Sequence, residues 1–146
     1  MSPGLAREIE RHAREAYPRE ACGLLLGPAE ASTERAFLRT VVRAPNVAPP
    51  ESHRFQIAPE FFRGVVRGSP PGEGVLGVYH SHPDGAPWPS AADREDAWPG
   101  YVYVILGVRP ARPSSLRAFE FDGSTGRFGE LSLDTAQDRP EVRRGG

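Results

Sequence analysis

Lysine is missing from this chain: all 18 basic side chains are arginine. Codon bias in a GC-rich genome is the bland reading of that, beside a functional one in which a protein without lysine escapes modification there. Cysteine is nearly missing too, and the single Cys22 excludes an internal disulfide. No apolar run approaches the roughly 20 residues that a membrane-spanning helix needs. The first ten residues are charged and lack the apolar centre of a signal peptide. Neither sign of charge dominates. The net charge of -1 leaves no electrostatic footprint for nucleic acid. The chain is therefore expected to meet neither nucleic acid nor membrane, and to reside in the cytoplasm.

What is present suits one compact domain. A length of 146 residues supports a single core without staples. Hydrophobic content of 38% and charged content of 25% are globular values, and 16 glycines with 16 prolines make the chain rich in loops. Ser2 and Pro3 read as the N-cap and first position of a helix, continued by Leu5, Ile9, Ala13 and Ala16 at helical spacing and stopped by Pro18. Residues 21–27 form a short apolar run read as a buried strand. Residues 37–42 and 54–57 read as two more strands, separated by a proline-rich loop. Pro59 opens a second helix to residue 67, with Phe61, Phe62, Val65 and Val66 for the core. A strand over 75–79 leads to a histidine pair, and a short helix covers 90–98. The segment 101–108 is the clearest strand, and 116–121 with 127–133 form a hairpin around Asp122-Gly123. Strands interspersed with three helices predict an α/β or α+β arrangement around a mixed sheet. The domain is placed at 1–133, with 134–146 as a polar tail.

The chemistry concentrates in His80-Ser81-His82, followed by Ser90 and Asp93. Chance gives this H-x-H-x7-S-x-x-D pattern in roughly one chain of this length in a few thousand. Side chains alternate along a strand, so His80 and His82 point the same way. Two imidazoles and a carboxylate suffice for a catalytic zinc whose fourth position is left to water. Asp93, one turn into the next helix, can swing back to the same point, with Asp96 a turn further off. Ser90-x-x-Asp93 is also a capping box. Ser90 can cap and still offer its hydroxyl to a reacting oxygen, whereas the two roles compete for Asp93. Hydrolysis of an amide further needs a base, and Glu20 stands just before the first buried strand. Its other reading is a solvated carboxylate in Pro18-Arg19-Glu20.

The segments Glu20-Ala21-Cys22-Gly23-Leu24-Leu25-Leu26-Gly27, Gly77-Val78-Tyr79-His80-Ser81-His82-Pro83 and Pro89-Ser90-Ala91-Ala92-Asp93 together resemble the JAMM (MPN-type) zinc metalloprotease domain, in its stand-alone prokaryotic form. The resemblance runs from about Leu5 to Leu133. It implies a cytidine-deaminase-like α/β fold with a mixed sheet flanked by about three helices. It also implies one zinc ion on His80, His82 and Asp93, Glu20 as general acid/base, and Ser90 as a stabiliser of the oxyanion. The implied activity is hydrolysis of peptide or isopeptide bonds after the C-terminal Gly-Gly of a ubiquitin-like or sulfur-carrier protein. The alternatives are a zinc peptidase acting on short peptides or cysteine adducts, and a zinc-containing binding module without hydrolysis. A homodimer is kept open.

Smaller signals have bland readings beside sharp ones. Cys22 shares a strand face with Glu20, and is either a thiol lining the site or a small core residue, the commoner fate of a free cysteine. Trp88 and Trp98 flank the site helix, with packing as the default and a groove wall as the role open to Trp88. His12 and His53 read as surface residues. Arg143-Arg144-Gly145-Gly146 looks like the tail of a ubiquitin-like substrate, and equally like a chance ending in an arginine- and glycine-rich chain.

Overall fold

The computed structural model describes residues 1–29, 35–134 and 141–144, with backbone alone for 35–36, 134 and 141–144. Helix α1 (Pro3–Ala16) starts as its sequence predicts: Ser2 caps it, its hydroxyl accepting from the Leu5 N–H at 3.3 Å, and Pro3 occupies the first turn. A cap of this kind stabilises a helix by about 1 kcal/mol. The remaining elements are β1 (Cys22–Pro28), β2 (Arg35–Ala36), β3 (Thr40–Ala44), α2 (Pro59–Gly68), β4 (Glu73–Pro83), α3 (Ala91–Glu95), β5 (Val102–Val108), β6 (Ser115–Asp122), β7 (Arg127–Asp134) and β8 (Glu141–Arg144). A 3-10 turn at Pro50–Ser52 interrupts the loop after β3.

The strands form one sheet in the order β2-β8-β7-β6-β5-β4-β1-β3. It is mixed: β4 and β5 run parallel and the other neighbours antiparallel. The α/β class, with a mixed sheet and about three helices, is thus the one expected. Strand alternation gives the sheet two faces. Ile9 and Ala13 of α1 pack on one of them, against Leu25, Tyr79, Val104, Leu106 and Ala118. The opposite face carries Tyr103, Ile105 and Phe119, with Val78, Phe121 and Phe128 around them.

Strand β3 covers Thr40–Ala44 where 37–42 is expected, α3 ends at Glu95 where the reading extends to 98, and three further segments differ from the sequence reading. First, β4 runs through the histidine pair to Pro83, so His80 and His82 are paired strand residues, opposite Cys22 of β1 and Gly107 of β5 respectively. Second, residues 54–57 do not form a strand. Asn46 organises that stretch instead: its Oδ1 accepts from the Ala48 and Gln56 N–H groups, and its Nδ2 donates to the Arg54 carbonyl. Side-chain bonds of this local kind compete with ladder pairing. Third, Glu141–Arg144 in the polar tail extends the sheet as β8, pairing with β7 and β2. Gly145 and Gly146, on which the substrate-like reading of the tail rests, lie outside the described residues. No helix among the described residues is long and apolar enough to cross a membrane.

His12 is not a free surface group: its Nδ1 lies 2.7 Å from the Tyr79 hydroxyl. Burial, with Arg43 nearby, lowers its pKa below the ordinary 6.5. The folded protein therefore resists protonation that the unfolded chain accepts, and below the unfolded value the unfolded state binds more protons. The His12 contribution to stability is present above about pH 6.5 and is lost as the pH falls. Urea titrations at pH 7.5 and pH 5 are expected to show a larger loss of stability on acidification for the parent than for His12→Gln.

Candidate metal centre

The site is built where β1, β4 and the short helix α3 meet. His80 and His82 alternate with Tyr79 and Ser81 along β4, so both imidazoles leave the face opposite α1. His80 is fully buried, its ring stacked on Phe55 at a centroid distance of 4.4 Å. Its Nδ1 has no hydrogen-bond partner among the described residues, so on that side packing alone holds the ring. His82 is held differently, with its Nδ1 2.9 Å from the Ala86 carbonyl. A carbonyl only accepts, so that nitrogen carries the proton and Nε2 of the neutral ring presents a lone pair. The loop bearing Ala86 lies close over β5 because residue 107 is glycine. A Cβ there would come within 2.6 Å of the Gly85 carbonyl oxygen.

Asp93 reaches both rings. Its Oδ1 lies 3.1 Å from His80 Nε2 and its Oδ2 3.2 Å from His82 Nε2, while the two Nε2 atoms are 3.1 Å apart. The same carboxylate closes the capping box of α3. Oδ2 accepts from the Ser90 N–H at 2.8 Å, and Ser90 Oγ accepts from the Asp93 N–H at 3.1 Å. The sequence reading set these roles in competition, but one carboxylate performs both because its two oxygens have several lone pairs. Asp96 sits exposed at the C-terminal end of α3, and Asp93 alone of the two meets the imidazoles.

Glu20 precedes β1, and a carboxylate oxygen of it lies within 4.8 Å of the ligand nitrogens of both His80 and His82. Burial is the main cause that pushes its pKa up to about 7, with His82 opposing and Asp93 adding to the shift. For Asp93 burial acts upward and is the largest single influence. The bonds to His80 and His82 and the Ser90 N–H outweigh it, holding the carboxyl well below its usual range. Burial lowers the pKa of His80, against the pull of Asp93, and so favours the neutral imidazole. The sequence reading missed Phe55, the ring against His80. It lay in a segment read as an ordinary strand, and no local pattern marks a contact across 25 positions.

The Nε2 atoms of His80 and His82 and the two oxygens of Asp93, with contacts of 3.1–3.2 Å, fit a single divalent cation, since tetrahedral ligands at about 2.0–2.1 Å from a metal lie roughly 3.3 Å from each other. The charges agree with the spacing. Burial lowers the His82 pKa, but the Asp93 bond and the Ala86 carbonyl outweigh it and raise it, so the cluster favours positive charge there, as a proton or as a bound cation. Glu20, His80 and His82 likewise form a group able to hold a metal ion.

A mixed sheet that presents a His/His/carboxylate cluster beside a half-buried glutamate defines an α/β domain with a candidate metal centre. The sequence pattern of prokaryotic homologs of the JAB domain matches residues 2–122, and the chain belongs to that family. It is similar to the desampylase of Haloferax volcanii, with 37% identity over 133 residues, covering 86% of this chain and 87% of the relative. A probable TtuB-protein conjugate cleaving protease of Thermus thermophilus is 30% identical over 110 residues, covering 75% of this chain and 70% of the relative. Among solved structures, a JAB1/MPN domain protein from Archaeoglobus fulgidus shares the fold, with a TM-score of 0.58 at 22% identity, covering 93% of this chain and 97% of that one.

Cys22 lies on the histidine-bearing face, yet it is buried, its Sγ 3.7 Å from the Ala44 carbonyl oxygen. Burial, with the nearby Glu20 carboxylate adding to it, pushes the thiol pKa up to about 12. The nucleophile is the thiolate, so this thiol is inert at neutral pH. Ellman's reagent is expected to leave native protein unlabelled over the time in which urea-unfolded protein reacts completely.

Proposed function

We propose that this protein is a zinc-dependent hydrolase that cleaves peptide or isopeptide bonds after the C-terminal Gly-Gly of a ubiquitin-like or sulfur-carrier protein. The observation that carries the reading is the triangle of His80, His82 and Asp93 donor atoms, with the Glu20 carboxylate beside it. The substrate class is supported by the two curated relatives, one a desampylase and the other a probable protease of TtuB-protein conjugates.

His80, His82 and Asp93 would hold the zinc, which supplies Lewis-acid charge and lowers the pKa of water to about 7. Glu20 takes the proton from the attacking water and returns it to the departing amine, a task suited to a carboxyl whose pKa is raised to about 7. The Ser90 hydroxyl uses a lone pair to cap α3. Its O–H remains available to donate to the oxygen that gains charge as the carbonyl becomes tetrahedral. The rings of Trp88 and Trp98, both exposed on either side of α3, are apolar surface against which a chain terminus can lie.

A full-length carrier protein fused through its Gly-Gly to a reporter is the substrate for the test. Glu20→Gln is expected to lose turnover and keep one zinc per chain by metal analysis. Asp93→Ala is expected to lose both, and parental turnover in Glu20→Gln would remove the proposed base. Ser90→Ala is expected to lower kcat by about 10²- to 10³-fold and to destabilise the fold by roughly 1 kcal/mol through the lost cap. Cleavage of short peptides with no cleavage of the fusion would redirect the reading to a small-substrate peptidase. Zinc without any turnover would leave a binding module.

A further inference from the structure

Glu20 stands outside the strand ladders, which begin at Cys22 in β1. Its backbone is nevertheless fixed. The Glu20 carbonyl accepts from Asn46 Nδ2 at 3.1 Å, and the Ala21 N–H donates to Ser81 Oγ at 2.8 Å. These two groups are the opposite ends of one planar peptide unit. The Ser81 N–H also donates to the Ala21 carbonyl at 3.0 Å.

Both grips are built to hold. Asn46 has two amide protons and two acceptor lone pairs, and all four are used: Glu20 and Arg54 carbonyls on Nδ2, Ala48 and Gln56 N–H groups on Oδ1. Ser81 is buried, and it lies between the two histidines with its side chain on the other face of β4. It therefore reaches the peptide that follows Glu20 while His80 and His82 face the metal site. A peptide plane held at both ends fixes the position of the Glu20 Cα, from which the side chain reaches toward the metal site.

We propose that Asn46 and Ser81 are positioning residues that aim the Glu20 carboxylate at the metal centre. The inference rests on the reading of Glu20 as the base. Misplacing a catalytic group by about 1 Å costs on the order of 100-fold in rate. Loss of either grip acts on orientation rather than on substrate affinity or metal binding.

The test uses the zinc-loaded full chain and the Gly-Gly fusion. Asn46→Asp keeps the shape and replaces the donor to Glu20 by an oxygen, Ser81→Ala removes the acceptor of the Ala21 N–H, and Ser81→Thr keeps it. Asn46→Asp and Ser81→Ala are each expected to lower kcat by roughly 10- to 100-fold with KM within about twofold. Both should retain one zinc per chain, and Ser81→Thr should restore kcat. Amide exchange at Ala21 should quicken in Ser81→Ala. A merely structural staple would lower the melting temperature and leave the kcat of folded protein unchanged, which overturns the proposal. So does a fall in kcat that tracks loss of zinc, since Ser81 would then be supporting the histidines. If Ser81→Ala does not fold, Asn46→Asp decides alone. Parental turnover in Glu20→Gln would sink the base itself. An inactive Glu20→Gln beside a fully active Asn46→Asp would sink only the positioning.

Discussion

Two imidazole nitrogens and a carboxylate crowded within 3.2 Å of one another form an arrangement that ordinary packing does not favour. The His82 Nδ1–H is directed to the Ala86 carbonyl, so Nε2 faces Asp93, whose charge raises the His82 pKa against burial. A bound cation would compete with a proton for that nitrogen and would balance the carboxylate in its place. The rest of the fold can be understood as the means of holding that convergence in place.

Each support is a backbone feature. Strand β4 lies inside the sheet between β1 and β5, so its register is pinned on both sides, and a slip of one residue would turn both histidines to the α1 face. Helix α3 has only five residues, too few to hold its own orientation, and its capping box makes it rigid. That box is also what delivers Asp93, so the bonds that start the helix and the bonds that complete the site share one carboxylate. Burial acts on the same groups in two directions. It keeps His80 neutral and lifts Glu20 toward neutrality, whereas Asp93 stays ionised because its partners donate to it.

Much of this was legible in the order of residues. Ser2-Pro3 announces α1, Pro59 announces α2, and alternation places His80 and His82 on one face. Local patterns of this kind depend on neighbours a few positions away, and local physics suffices to read them. The segment 54–57 was misread because its apolar and extended look is real, while its hydrogen bonds go to an asparagine ten or fewer positions upstream. The strand character of Glu141–Arg144 was hidden for the opposite reason. Its sequence is polar, and only its neighbours β7 and β2 in the assembled sheet give it partners.

The sequence by itself determined which residues make up the candidate site: a histidine pair, a serine and an aspartate at a fixed spacing, with a glutamate ahead of an apolar strand. Spacing settles such matters because residues within one strand or one helical turn have nearly fixed relative positions. Tertiary structure alone decided that Glu20 comes within 4.8 Å of histidines some 60 positions away, that Phe55 stacks on His80, and that Asn46 and Ser81 grip the Glu20–Ala21 peptide. Those contacts join chain segments that approach only when the sheet is assembled, and no local preference encodes the distance between them.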